Sequence, residues 1–306
     1  MASPDIAVED VIGALGSFYR QGVVTALWAH AAANRLEGAA IHLLSDELPP
    51  RGARCCRMGH RWQGRAHARG LAWNYPQRPR VAVCMATVGF IGSGHIGSTV
   101  ARLGVAAGYH VIMSNSRGPQ TLADLAAELG PLARAATGER AAAEGDLVVV
   151  TIPLRAYQSV PAAPLAGKVV IDTCNYYPPR DGQIAELDSG TLTSSELIQR
   201  HLAAAQVVKA FNNIFYQHLL ALSRPAGATD RSFLPIAGDD AGAKAQAIAF
   251  LDAIGYGAVD AGPLAESWRQ EPGTPVYGSP YGPFSDPAGT PAGEAAIRAA
   301  LARASR

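Results

Sequence analysis

The chain has 306 residues, 48% of them hydrophobic, and a formal net charge of +1. That length accommodates one or two domains, and no apolar run approaches the roughly 18 residues of a membrane span. The near-neutral balance excludes the strong basic footprint of a nucleic-acid binder and the polybasic surface of a membrane-docking protein, so the expected partner is a small-molecule substrate.

The first 84 residues carry little chemistry. Asp5, Glu9 and Asp10 stand where a secretory signal would need basic residues before an apolar core. Val8, Ile12, Leu15, Tyr19, Val23 and Leu27 have helical spacing, so one or two helices are expected over residues 6–46. Residues 51–84 run from Arg51 to Arg80 without an acidic residue or any periodicity. Cys55, Cys56, His60 and His67 lack the usual C-x₂₋₄-C pairing of a zinc site, and no metal is expected. With Cys84 and Cys174 they do not form a disulfide framework, and a reducing cytoplasm is the expected compartment. The segment reads as a partly disordered basic linker or a stretch outside the native protein, because Met85 immediately precedes the first strand as a start would.

Residues 86–97, Ala-Thr-Val-Gly-Phe-Ile-Gly-Ser-Gly-His-Ile-Gly, hold the most informative motif. Val88–Ile91 suits a buried parallel strand, and Ile96, Val100, Leu103 and Val105 continue at roughly helical spacing. The glycines of Gly92-x-Gly94-x-x-Gly97 therefore sit at a strand-to-helix turn, the context a dinucleotide fingerprint requires. Gly92 allows the turn, Gly94 admits a pyrophosphate close to the backbone, and Gly97 lets helix pack on strand. Ser93, His95 and Ile96 complete the turn, where His95 is expected to offer its backbone N–H and leave its ring near the phosphates or solvent. A second strand, Val111–Met113, ends in Ser114-Asn115-Ser116-Arg117-Gly118. An NAD enzyme places a carboxylate there for the ribose hydroxyls; the hydroxyl of Ser116 and guanidinium of Arg117 instead suit a 2′-phosphate, and predict NADP.

Downstream, helix Leu122–Leu129 and strands Asp146–Ile152, Lys168–Asp172 and Gln206–Phe211 continue the alternation. Thr193-Ser194-Ser195-Glu196 reads as a capping box opening helix Leu197–Ala205. Then come strand Phe233–Ala237, helix Ala241–Ile254 with Asp239 or Asp240 as cap and Gly255 as stop, and strand Gly257–Asp260. The expected fold class is α/β, a doubly wound parallel Rossmann sheet with a small C-terminal α/β extension. Its divisions are a nucleotide domain over 85–215, the extension over 216–268, and over 269–306 a Gly/Pro-rich tail ending in helix Glu294–Ala304.

Ligands of open α/β sheets gather beyond the carboxyl ends of the strands. Those ends present Thr151, Ile152 and Pro153, then Thr173, Cys174 and Asn175, then Asn212 and Asn213. Asn175 is assigned to the cofactor, and Asn212, Asn213 and the aromatic Trp268 to the second substrate. Asp172 reads as a hydrogen-bonding structural carboxylate and Cys174 as a small buried hydrophobe. No acid–base pair emerges, and no catalytic side chain is assigned.

The strand-turn MATVGFIGSGHIG, the loop SNSRGP, VVVTIP, VVKAFNNIF and GDDAGAKAQAIAFLDAIGYGAVDAGPL, in this order, resemble the NADP oxidoreductases dependent on 8-hydroxy-5-deazaflavin (coenzyme F420) and similar NADPH-dependent reductases, over residues 85–268. The resemblance implies hydride exchange between NADP(H) and a deazaflavin ring. It places Ser93, His95, Ile96, Ser116 and Arg117 on the phosphates, and Thr151, Ile152 and Pro153 along ribose and nicotinamide. The tail over 271–292 departs from the family, which closes its deazaflavin pocket with more regular structure. Ring-to-ring hydride transfer fits strand ends without an acid–base pair. Reduction of a small C=N or C=O substrate is the alternative, a non-catalytic NADP-sensing protein the third, and a homodimer stays open as the assembly.

Overall fold

A computed structural model describes residues 86–306. The helices expected over 6–46, the basic segment over 51–84 and the start at Met85 lie outside the described residues.

Eight strands form one sheet in the order β3-β2-β1-β4-β5-β6-β7-β8. They are β1 (Thr87–Ile91), β2 (His110–Ser114), β3 (Ala133–Ala135), β4 (Leu147–Val150), β5 (Val169–Asp172), β6 (Gln206–Lys209), β7 (Phe233–Gly238) and β8 (Gly257–Asp260). All pairings are parallel except β6 with β7. The helices are α1 (His95–Ala106), α2 (Ala123–Leu129), α3 (Gly138–Glu144), the single turns α4 (Pro178–Asp181) and α5 (Ala185–Asp188), α6 (Ser194–His201), α7 (Tyr216–Ala221), α8 (Ala241–Ala253) and α9 (Glu294–Ala302).

Strand residues alternate between two cores because successive side chains leave opposite faces of the pleat. Val88, Phe90, Leu147, Val149, Val169 and Ile171 enter one core with residues of α1, α8 and α9. Val148, Val150, Val170 and Val207 enter the other with Ile198 and Leu202 at α6. Burial on both faces explains why these strands read as unbroken apolar runs. The chain leaves β1 for β2 and β3, then returns past β1 to β4, so the order reverses between β1 and β4. That switch point opens a crevice at the strands' carboxyl ends.

The strands after residue 216 form no sheet of their own. β7, α8 and β8 make a right-sized βαβ unit whose first strand pairs with β6 through Val208–Gly238 and Lys209–Ala237. The tail also packs onto the body: Val276, Tyr281, Ala292, Ile297, Ala300 and Leu301 are buried in the α1–α8 core. Its backbone is fastened by Phe233 N–H to the Ala292 carbonyl (2.8 Å) and by the Tyr281 hydroxyl to the Phe233 carbonyl (2.8 Å). The expected capping box exists: Thr193 Oγ1 accepts from Glu196 N–H, and Glu196 Oε2 accepts from Thr193 N–H. Asp240 rather than Asp239 caps α8, accepting from Ala243 N–H at 2.7 Å.

Candidate active site

The turn after β1 has the geometry of an anion cradle. Gly92 holds φ +111°, a conformation strained for any residue with a Cβ, and a Cβ there would also stand 2.1 Å from the Thr151 carbonyl oxygen. At Gly97 a Cβ would meet Thr151 Cγ2 at 2.6 Å and the Gly92 carbonyl at 2.7 Å, so only glycine lets α1 seat this close to β4's exit. At Gly94 a Cβ would meet nothing within 4 Å. The space above Gly94 is open although the fold does not need it open. Gly94 is the N-cap of α1, no side chain caps that end, and its first turn holds no acid. Unpaired N–H groups and the positive end of the helix dipole therefore face open space. These residues fit a dinucleotide pyrophosphate.

Beside the cradle, Ser114 Oγ donates to the Phe90 carbonyl at 2.6 Å, locking the end of β2 to β1. Asn115 Oδ1 then accepts from Arg117 N–H at 2.9 Å, and Thr121 Oγ1 donates to the Gly118 carbonyl at 2.8 Å. The loop is set by its own side chains. Ser116 and Arg117 are exposed, and the Arg117 guanidinium makes no hydrogen bond to the described residues. An ordered backbone carrying an uncommitted guanidinium fits a phosphate dianion.

A cleft of about 410 Å³ opens from this turn along the carboxyl ends of β4, β5 and β6. One wall holds His95, Ile96, Thr151, Ile152 and Pro153; another holds Thr173, Cys174, Asn175, Asn212 and Asn213. The third is aromatic: Tyr177, Phe215, Tyr216, Tyr277 and Phe284. His95 is exposed and stacks on Tyr216, centroids 4.3 Å apart at 18°. Phe215 contacts both Tyr216 and Phe284, at 4.7 and 5.2 Å. Arg180 also lines the cleft, its guanidinium 4.8 Å from the Tyr177 ring centroid. Among the described residues, no carboxylate lines it.

Two phenols meet in this cleft: the hydroxyls of Tyr177 and Tyr277 are hydrogen-bonded to each other. Burial, then the bond to Tyr177, pushes the Tyr277 phenol well above its ordinary value, so it stays protonated. Asp181 accepts from Tyr177 N–H at 2.9 Å and from Arg180 Nε and Nη2 at 2.9 and 2.8 Å. Burial opposes its ionisation, but the Arg180 and backbone bonds prevail and hold its carboxyl below the usual range. Arg180 Nη2 donates as well to the Asn175 carbonyl at 2.8 Å, fixing the loop that carries Tyr177.

Beneath the cleft floor lies a closed polar network. Asp172 accepts from Cys174 N–H (2.8 Å), Ser195 Oγ (2.7 Å) and Lys209 Nζ (3.1 Å). Lys209 also donates to Ser194 Oγ and to the Cys174 carbonyl. Both side chains are fully buried, and Asp172 is not among the residues that line the cleft. Cys174 is buried, and its thiol is pushed well above its ordinary value by burial and by the Asp172 charge. It is a poor nucleophile.

The asparagines are crossed: Asn175 Nδ2 donates to the Asn212 carbonyl (2.8 Å), and Asn212 Nδ2 to Asn175 Oδ1 (3.0 Å). Asn213 Nδ2 donates to the Val276 carbonyl at 3.0 Å, tying the tail to β6. Just before them Phe211, fully buried, has φ +62°, an outlier for a bulky residue that aims the pair off the strand.

The structure thus gathers Ile96, His95, Thr151, Ile152, Pro153, Asn175, Asn212 and Asn213 into one cleft, with Gly92, Ser93, Gly94 and Gly97 in the adjoining turn and Ser116 and Arg117 in the loop beside it. Trp268 is the exception. It does not line the cleft; its ring lies under Arg269 (4.6 Å) and Arg306 (5.1 Å). Its place is taken by Tyr277 and Phe284, from the tail expected to lack regular structure. Sequence reasoning missed these, along with Tyr177, Arg180 and Lys209. Of them, only Lys209 carried a signal, as a lysine closing an apolar strand.

Residues 87–176 match the family model described as NADP oxidoreductase, coenzyme F420-dependent. No curated protein matches the chain. Similar solved structures include the hypothetical protein SMa0349 of Sinorhizobium meliloti, 29% identical over 63% of this chain and 93% of that one, with a TM-score of 0.55. A protein of Arthrobacter sp. FB24 described as a candidate F420-dependent NADP reductase is 25% identical over 60% of this chain and 87% of that one, with a TM-score of 0.50. The matched stretch runs from β1 through the exit of β5 and contains both the anion cradle and the SNSRGP loop. Over that stretch the chain is similar to the NADP oxidoreductase, coenzyme F420-dependent, family.

Proposed function

We propose that this protein transfers a hydride between NADP(H) and a planar ring acceptor of the deazaflavin class, coenzyme F420. The observation that carries this reading is the cleft's lining. A cradle for a pyrophosphate adjoins it, and Tyr177, Phe215, Tyr216, Tyr277 and Phe284 line the same cleft as Thr151–Pro153, with no carboxylate among its described lining residues. Such an aromatic lining suits a flat conjugated ring stacked at near-attack distance.

NADPH supplies the hydride when bound. The chain's contribution is positioning. The α1 N-terminus and Gly94 hold the pyrophosphate, Ser116 and Arg117 hold the 2′-phosphate, and Thr151, Ile152, Pro153 and Asn175 line the ribose and nicotinamide path. Asn212, Asn213 and the aromatic wall orient the acceptor and exclude water from the transfer.

A second reading, reduction of a small C=N or C=O substrate, draws on the Tyr177–Tyr277 phenol pair, since such a substrate needs a proton donor in the cleft. The test is NADPH oxidation by the full chain, followed by loss of nicotinamide absorbance, against a deazaflavin, free flavins and small imines and ketones. Turnover with the deazaflavin, exceeding that with imines, is the expected result. Turnover confined to imines or ketones selects the second reading. No turnover with any acceptor, alongside NADPH binding, leaves an NADP-binding protein and overturns both.

A further inference from the structure

Hydride transfer to a neutral conjugated acceptor is half of a reduction. A C–H bond forms at the acceptor carbon, the displaced π electron pair moves to a conjugated nitrogen or oxygen, and that atom must take a proton. NADPH is oxidised, the acceptor is reduced, and one proton is consumed from outside the cofactor. The cleft holds few groups able to give it. Of the other titratable side chains that line it, Cys174 is buried with its thiol pushed up, Arg180 is held by Asp181, and His95 and Tyr216 stack on each other with centroids 4.3 Å apart.

We propose that Tyr177 is the residue that delivers this proton, with Tyr277 as its positioning residue. The two phenols line the cleft and are bonded hydroxyl to hydroxyl, although they lie 100 residues apart in the chain. For Tyr177 to give its proton to the acceptor, Tyr277 must be the donor within the pair. Burial suits it to that role, because it keeps the Tyr277 proton through the cycle. The Arg180 guanidinium, 4.8 Å from the Tyr177 ring centroid, supplies the charge that a transient Tyr177 phenolate requires. As the proton leaves, the Tyr177 oxygen accepts from the Tyr277 hydroxyl, with the Arg180 guanidinium over its ring; after product departs, solvent returns the proton to Tyr177. The backbone enforces the arrangement from both sides. Asp181 and Arg180 brace the Tyr177 loop, while Gly278 N–H donates to the Asn213 carbonyl at 2.8 Å next to Tyr277.

The inference rests on the reading of the cleft as a hydride-transfer site, and extends to either class of acceptor. Tyr177→Phe, Tyr277→Phe and the double variant are compared with wild type in the full chain, using whichever acceptor wild type turns over. NADPH Kd by nucleotide fluorescence and melting temperature report the fold and cofactor site independently of turnover. Tyr177→Phe and the double variant should lose roughly 10²-fold or more in kcat, the range for loss of a general acid, with NADPH Kd within twofold. Tyr277→Phe should lose several-fold in kcat and raise the solvent deuterium isotope effect, a change that a purely structural role would not produce. A double variant retaining a tenth or more of wild-type kcat overturns the inference and leaves the hydride reading standing. Wild type that oxidises NADPH with no acceptor overturns the hydride reading, and the inference with it.

Discussion

Lys209 Nζ lies 3.1 Å from Asp172 Oδ2, and neither side chain has any exposure to solvent. The pair bolts the carboxyl end of β6 to that of β5, and Asp172 and Lys209 both reach Cys174, at its N–H and its carbonyl. The position of Asn175, one residue further, therefore depends on an ion pair buried beneath the cleft. Removing one partner strands a charge in the interior, which costs about 3–5 kcal/mol, whereas replacing both can be nearly neutral. Asp172→Asn and Lys209→Met should each lower stability on that scale in urea denaturation. The double variant should lose much less than their sum. Asp172→Asn that folds should keep kcat within about tenfold, a smaller loss than for removal of a general base. A stable but inactive Asp172→Asn would make Asp172 a chemical participant.

Gly94 and Gly97 separate cofactor binding from folding. A Cβ at Gly94 meets nothing, while at Gly97 it collides with backbone and Thr151. Gly94→Val should melt close to wild type and lose NADPH binding, because its side chain fills the pyrophosphate's space. Gly97→Val should instead lower the melting temperature sharply. Parallel thermal melts and NADPH titrations check both, and wild-type affinity in Gly94→Val would show that the cofactor lies elsewhere.

Arg117 offers a guanidinium with no partner among the described residues, on a loop fixed by Asn115 and Thr121. Arg117→Asp should raise KM for NADPH and spare NADH. A charged hydrogen bond is worth about 1.5–3 kcal/mol, or on the order of 10–100-fold. Equal effects on both cofactors would remove Arg117 from the 2′-phosphate.

Cys174 should resist alkylation in the native protein at pH 8, since burial and the Asp172 charge raise its thiol and keep it protonated. Peptide mapping after iodoacetamide treatment should find Cys174 labelled only when the chain is first unfolded. Rapid native labelling would mean that the cleft floor opens.

The nucleotide half of this molecule was readable from the chain because its determinants are local. The β1 turn, the uncapped α1 and the SNSRGP loop fall within residues 87–118, and each glycine's role follows from one strand-to-helix geometry. Apolar runs foretold the two-sided burial of β4 and β5 for the same reason. The short β3 and α3 were missed: β3 has three residues and α3 seven, too few for a period to stand out.

The aromatic side of the cleft depended on tertiary folding. Tyr177 and Tyr277 meet across 100 residues, and Tyr277 and Phe284 reach the cleft only because α9 and Tyr281 anchor the Gly/Pro-rich tail to the core. Glycine and proline destroy periodicity, so a segment ordered entirely by contacts with distant residues looks structureless in sequence. Trp268 was assigned to the substrate on its aromatic character alone, yet Arg269 and Arg306 cover it. Lys209 and Asp172 were unpaired in sequence because β5 and β6 are brought into register by the sheet, with α6 packed between them in chain order. Local motifs specify the glycine turn and the loop proposed to hold the cofactor's phosphates. Long-range pairing decides which aromatic side chains line the cleft, since Tyr177 and Tyr277 meet across 100 residues.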